Sequence, residues 1–458
     1  MEEAGRFVAG FSEHNGRTTL HPIGVTLLLC FGFAMLIVPR RYAMITMIAC
    51  ASFVAVGQRV VVATLDFNFM RIMVLFGCAR LLMRQEFRGF QWTRMDICIL
   101  AFAIVQVLTY TVTVGPSGFI WRLGTAFEAI GTYFLTRMLV RDLNDVRVLI
   151  FGLAVISIPV AFIFLVERST GRNLFAAFGG VPEFTQVRDG KMRCQGAYAH
   201  PVIAGCFWAA IFPLFASQLL SKGFSRVLAI CGTLSSLAII FCCASSTPVT
   251  GILAAILGFA MMPLRRRMAS VRWAIVALII VLQIGMKAPV WHLIARTDFV
   301  GGSTGWHRAH LIDKVVEHFD EWFLSGVMDI SHWDVFANDV CNHYCLIAVQ
   351  GGMPTLILFT TLIVIGFGNI GRAWRRVTNS PEDVRLIWAI GVSLFVHNAN
   401  FVGLGYFGQI DSLLFVSLAL TAAAQSARSP LRAVGSTIIS RANSSATRVT
   451  SNLRAGYR

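Results

Sequence analysis

Long apolar runs separated by short polar connections set the rhythm of this chain. Ile23–Pro39, Ile97–Val114, Val146–Val166, Pro201–Leu220, Trp273–Val290 and Leu346–Phe367 are each long enough to cross a hydrocarbon core at about 1.5 Å per helical residue. In lipid such runs must be helical, because every backbone N–H and C=O needs an internal partner. The pattern predicts about thirteen spans, near 23–39, 42–57, 66–83, 96–114, 118–137, 147–166, 201–220, 226–243, 249–263, 273–291, 344–367, 386–403 and 409–424. The expected fold class is therefore all-α, a polytopic transmembrane helix bundle.

Three segments fall outside this rhythm. Residues 1–22 are polar and carry Glu2, Glu3 and Glu13, unlike the basic start of a cleaved leader. Residues 23–424 form one membrane domain with two long loops, about 167–200 and 292–342. Residues 425–458 read as a basic, flexible tail, rich in Ser, Thr, Ala and Arg. The second loop holds eight acidic residues and three basic ones, Arg296, Arg308 and Lys314. Within it, Leu311, Ile312, Val315, Val316, Phe319, Trp322 and Phe323 recur at helical spacing. This predicts one amphipathic surface helix over Trp306–Phe323, packed on the bundle as a lid or binding a partner.

Composition agrees. Apolar residues make up 56% of the chain and charged residues only 14%, against about 25% charged in soluble domains. The formal net charge of +16 first suggests nucleic acid, but its placement argues otherwise. Basic residues crowd one set of alternate connections: Arg40–Arg41, Arg84/Arg88/Arg94, Arg137/Arg141/Arg147, Lys222/Arg226, Arg265–Arg267 and Arg372/Arg375/Arg376/Arg385. The opposite short connections hold only Arg59. That asymmetry puts the C-terminus in the cytoplasm, the two long loops outside, and membrane lipids rather than nucleic acid against the chain. An odd number of spans then puts the N-terminus outside.

Polar chemistry gathers in the outer loops. Arg193 to Pro201 closes the first loop and opens a span. A guanidinium there, beside a helix N-terminus, favours an anion, and phosphate is the abundant anion at a bilayer surface. An arginine snorkelling to headgroups fits the same residues. Asp339 to Tyr344, followed by Gln350-Gly351-Gly352, marks where the second loop returns to the membrane. His343 there has the titration range of a general base, with Asp339 one turn away to orient it. A plain interfacial His–Tyr anchor reads equally well. His307 and His310 with Asp313 make a poor metal set, and no metal is expected. Arg71, Glu128, His397, Asn398, Asn400 and Asp411 lie within spans, where such groups are paired or functional. Arg71 either pairs with Glu128 or faces a lipid diphosphate. Arg80 sits where it can snorkel. Cys194 and Cys341 fall on outer loops and would staple them if close.

At these residues the chain resembles the O-antigen ligase/O-antigen polymerase superfamily. "RCQGAYAHPVIAG" (Arg193–Gly205) is similar to that family's arginine-to-proline segment before a helix. "STGWHRAHLIDKVVEHFDEWFLSGVM" (Ser303–Met328) is similar to its loop helix with an arginine and a glycine turn. "NHYCLIAVQGGMPTLILF" (Asn342–Phe359) is similar to its histidine-bearing span start, and "SSTPVTGILAAILG" (Ser245–Gly258) to a tight turn between spans. Here the order is Asn342-His343 where the family often has His-Asn, and Cys194 adjoins the arginine.

The resemblance implies a metal-independent glycosyltransferase of the bacterial inner membrane, working at its periplasmic face without a cofactor. Its donor would be undecaprenyl diphosphate-linked glycan. Its acceptor would be lipid A–core for a ligase or a second lipid-linked glycan for a polymerase, and related members transfer to protein. A chain-length-regulating protein is a further partner it allows. Arg193 and Arg308 are then the expected diphosphate clamp and His343 the base. His200, Asn342, Tyr344, Gln195, Arg71 and Asp339 are the expected substrate-binding residues. The resemblance also implies inversion by direct displacement. Outside the family, a transporter or lipid-linked glycan flippase is the main alternative, although no internal repeat supports it. A sensor or assembly scaffold is a third.

Overall fold

The computed structural model describes residues 18–62, 65–296, 305–334, 340–377 and 380–425. Asp339, most of the polar N-terminal segment and the basic tail lie outside the described residues. Among the described residues, thirteen helices of fourteen residues or more occupy the positions that the apolar runs mark. They are α1 (Pro22–Ile37), α2 (Arg40–Phe53), α3 (Phe69–Arg84), α4 (Arg94–Val114), α5 (Pro116–Leu139) and α6 (Leu143–Thr170). After the first long loop come α7 (Pro201–Ser217), α8 (Phe224–Cys243), α9 (Ser246–Ala260) and α10 (Met268–Gly285). Two loop helices follow, α11 (Gly305–Glu317) and α12 (Phe319–Trp322). Then come α13 (His343–Arg376), α14 (Pro381–Phe401) and α15 (Gln409–Gln425).

Among the described residues, six apolar stretches are long enough to cross a membrane: α4, α6, α8, α13, α14 and Met262–Gly285, which contains α10. The others are shorter or, like α5 with Arg122, Glu128 and Arg137, carry charges inside. The case for a membrane protein is plainest at α10. From Trp273 to Leu282 it is apolar on every face, none of its residues is buried, and Trp273 and Ile284 are 73% and 80% exposed. Such a surface aggregates in water and is satisfied in hydrocarbon. At the other extreme α7 is buried almost along its whole length, against α8, α9 and α14.

Polar residues set the helix ends. Thr93 and Asp96 form a capping box at α4, and Asp96 also accepts from Tyr133 Oη at 2.6 Å and Arg137 Nε at 3.1 Å. Arg40 reaches Asp145 at 2.7 Å. Arg80 is fully buried, with both Glu86 carboxylate oxygens 2.8 Å from its guanidinium. It is thus an internal staple and does not snorkel.

The loops depart from expectation in three ways. First, two small antiparallel hairpins join the helices: β1 (Arg59–Val62) with β2 (Leu65–Asn68), and β3 (Gln186–Arg188) with β4 (Lys191–Arg193). Second, the expected single surface helix breaks at His318 into α11 and α12. Leu311, Val315 and Trp322 turn inward to join Ile330, Trp333, Val340, Ala348 and Val349 in a separate small core. The apolar stripe is therefore a lid packed on protein, while Trp306, Val316 and Phe319 stay exposed. Third, α13 kinks at Gly352, whose φ is 72°. There Val327 N–H donates to Val349 C=O at 2.7 Å and Met353 N–H to Phe323 C=O at 2.9 Å, docking the loop on the kink. A Cβ on Gly352 would lie 2.6 Å from Leu324 O, and one on Gly326 2.6 Å from Val349 O. Only glycine allows that approach.

Candidate functional site: a cationic cavity at one end of the bundle

A cavity of about 720 Å³ opens among the helix ends that carry the two long loops. Its wall takes residues from the starts of α3, α5, α13 and α15, the β3–β4 hairpin, the turn between α8 and α9, and α11. Seven cationic side chains line it: Arg59, Arg71, Arg122, Arg188, Lys191, Arg193 and Arg308. Four carboxylates join them: Asp66, Glu128, Asp189 and Asp411. The cations outnumber the anions, and pairing does not use them up. Arg59 binds Asp66 at 2.7 Å and Arg71 lies 3.6 Å from Glu128. Arg193 and Arg308 form no ion pair among the described residues. Moreover, the Nε groups of Arg122, Arg193 and Arg308 are buried without a hydrogen-bond partner. A buried cation without a counter-charge costs several kcal/mol, which an anionic ligand would offset.

Arg193 ends β4 and is only 7% exposed. Burial, followed by the nearby Arg188, draws its pKa below the usual arginine value. The following turn is held by Glu167, fully buried at the end of α6. Its carboxylate accepts from Gln195 N–H at 3.1 Å and Gly196 N–H at 3.0 Å. Arg308 sits on α11 and donates through Nη2 to Thr247 Oγ1 at 3.1 Å, at the start of α9. Its pKa too is lowered, chiefly by burial. Arg122 lies over the rings of Tyr110 and Trp121 and donates to Gln350 Oε1 at 3.0 Å.

His200 lines the cavity as the N-cap of α7, its Nδ1 accepting from Val202 N–H at 3.3 Å. Burial, then Arg193 and Arg188, lowers its pKa from 6.5 to about 4, so the ring is neutral at pH 7. His343 lines the cavity from the first turn of α13, packed between Phe359, Phe401 and Tyr406. Its Nδ1 accepts from Tyr406 N–H at 3.1 Å. The one lone pair a neutral imidazole offers is taken by that bond, so Nε2 carries the hydrogen and is a donor in this geometry. The base role expected of His343 would require the Tyr406 N–H to be released.

Of the four carboxylates, Asp66 is paired with Arg59 and Asp189 lies 3.7 Å from Arg188 on the exposed hairpin, which leaves the two on bundle helices to weigh for proton acceptance. Glu128 already accepts from Asn68 Nδ2 at 2.9 Å and Ser412 Oγ at 2.8 Å. Asp411, in the first turn of α15, lines the cavity and makes no side-chain hydrogen bond among the described residues.

The other expected binding residues serve the scaffold. Asn342 caps α13, accepting from Tyr344 N–H at 3.0 Å and Cys345 N–H at 3.2 Å. Tyr344 Oη donates to Asn398 Oδ1 at 2.5 Å, away from the cavity wall. Gln195 Nε2 donates to Tyr198 C=O at 3.2 Å within its own turn. Arg71 differs from these: it lies 3.6 Å from Glu128 and lines the cavity. His310 turns to Asp334 at 3.0 Å, and Asp313 to His292 at 2.8 Å. Cys194 is a buried free thiol against Cys242, with its N–H on Cys242 C=O at 3.1 Å. The Cys194–Cys341 staple is not formed. Sequence reasoning named Gln350 without giving it a role and passed over Arg122 and Glu167 as site residues. A polar residue at the edge of an apolar run was the available signal for each.

The cavity thus offers a large anion fixed guanidinium donors, a neutral imidazole N–H and one uncommitted carboxylate. Searches against protein-family models and against curated protein sequences find no match to the chain.

Proposed function

We propose that this protein is a polytopic membrane glycosyltransferase that takes glycan from undecaprenyl diphosphate at the outer face of the bacterial inner membrane. One observation carries this reading: Arg193 and Arg308, each with its Nε buried and without a hydrogen-bond partner and neither in an ion pair among the described residues, face one cavity with Asp411, whose carboxylate makes no side-chain hydrogen bond there. Arginine suits the leaving diphosphate, since its planar fork binds two oxygens and keeps its charge when buried. In the proposed step an acceptor hydroxyl attacks the anomeric carbon and gives its proton to Asp411. The anomeric C–O bond breaks, and its electron pair leaves on the diphosphate held by Arg193, Arg308 and Arg122. His343 and His200 donate N–H to the sugar or phosphate oxygens. Inversion at the anomeric carbon follows from direct displacement. In this reading all thirteen long helices cross the membrane, the cavity faces the periplasm and the C-terminus is cytoplasmic.

A second reading, a transporter or flippase for lipid-linked glycan, draws on Arg122, Glu128 and Asp411, which lie on helices within the bundle. A cell-free assay separates the two. Purified protein in nanodiscs receives undecaprenyl diphosphate-linked glycan with and without lipid A–core. A multi-unit ladder without lipid A–core marks a polymerase, and product only with it marks a ligase. Transfer should persist in EDTA. Movement of lipid-linked glycan across vesicles without transfer would overturn the enzyme reading in favour of the transporter.

A further inference from the structure

Away from the cavity, His318, Glu321 and His332 bring three ligand atoms together on the loop that covers the small outer core. His318 Nδ1 lies 2.8 Å from Glu321 Oε1, and His332 Nε2 lies 2.8 Å from Glu321 Oε2. All three ligand atoms fall within 4.8 Å of one another. We infer that this cluster is a zinc site that pins the loop between α12 and α13. It is independent of the transfer reaction proposed above.

Two neutral imidazoles and a carboxylate are a zinc ligand set, at about 2.0–2.1 Å from the ion. Tetrahedral geometry then separates neighbouring ligand atoms by about 3.3 Å, so each moves by about an ångström or less to close on the metal. The supporting contacts are in place. Trp333 stacks parallel on the His318 ring, with centroids 5.0 Å apart and planes 5° apart. Its indole N–H donates to Glu321 Oε2 at 2.9 Å. One tryptophan therefore orients two of the three ligands, as outer contacts do in metal sites. Among the described residues no lysine or arginine competes for Glu321, and Lys314 is turned to Glu317 at 2.7 Å. The ligands also come from separate segments. His318 and Glu321 flank the start of α12, whereas His332 returns after the turn that docks on the α13 kink. A metal here closes that turn into a loop, which favours the ordered state. Imidazole and carboxylate favour zinc over magnesium, which prefers oxygen ligands and its own waters.

The test is calorimetry on the untagged full-length protein in detergent, stripped with chelator and dialysed. Zinc chloride should titrate to one site per chain and magnesium chloride should give none. His318→Ala and His332→Ala should each weaken zinc at least about tenfold, while His310→Ala should not. In parallel, zinc should slow proteolysis between Val327 and Ser331 in the wild type but not in His332→Ala. Absence of a zinc isotherm, or isotherms in both cluster variants equal to the wild type, would overturn the site.

Discussion

Arg308 and Arg193 are held by few contacts, and their chemistry is correspondingly sensitive. Arg308→Lys keeps the charge but loses the fork, so transfer should fall about 10²-fold, as when one fixed donor to developing charge is lost. Steady-state rates in nanodiscs measure this. Asp411→Asn should cost about 10²–10⁴ in rate, the range for a general base. His343→Ala should slow transfer yet leave the shape of the pH profile unchanged; a profile that lost its acidic limb in His343→Ala would restore the base role to the histidine. His200 also affects stability. Its folded pKa of about 4 lies below the value of 6.5 expected when exposed. Between these values the unfolded chain binds more protons, so the contribution is full above pH 6.5 and is lost as pH falls to about 4. His200→Asn keeps a good helix cap. It should flatten the decline in melting temperature between pH 6.5 and 4.

At the scale of elements, the helices were legible because long apolar runs admit one structure in lipid. The site was legible only in part. Arg193, His200, Arg308 and His343 were marked by their clusters and do line the cavity. Asn342 and Tyr344 were drawn in as sequence neighbours of His343. Adjacent residues on a helix point about 100° apart, so they face elsewhere. Arg122 and Gln350 are 228 positions apart and meet only through the packing of α4, α5 and α13. The break at His318 was hidden because apolar spacing runs through it from α11 into α12. The Gly-Gly pair after Gln350 had a legible type but not a legible partner, which is the loop around Gly326. Gly352→Ala and Gly326→Ala each force a left-handed backbone and a backbone clash. Each should cost at least about 1–3 kcal/mol, read as a lower melting temperature in detergent. Unchanged melting in both would show that the loop does not dock on the kink.

For the whole molecule, arginine-rich connections collect at the end of the bundle opposite the cavity, where Arg40, Arg80 and Arg137 are tied into ion pairs. This arrangement predicts orientation. Alkaline phosphatase fused between Asp189 and Gly190 should be active, and fused between Arg88 and Gly89 inactive. The reverse pattern would invert the molecule and move the cavity to the cytoplasm. The exposed α10 belongs to the same account, since lipid is the solvent its surface requires.

The central claim is that the cavity clamps a lipid diphosphate and transfers its glycan. The most direct measurement is single-turnover transfer from undecaprenyl diphosphate-linked glycan in nanodiscs, comparing wild type with Arg193→Ala and Arg308→Ala of equal melting temperature. The account predicts product with the wild type and a loss of about 10² or more in each variant. Equal product from all three proteins, or none from a wild type that still carries the donor across vesicles, would contradict it.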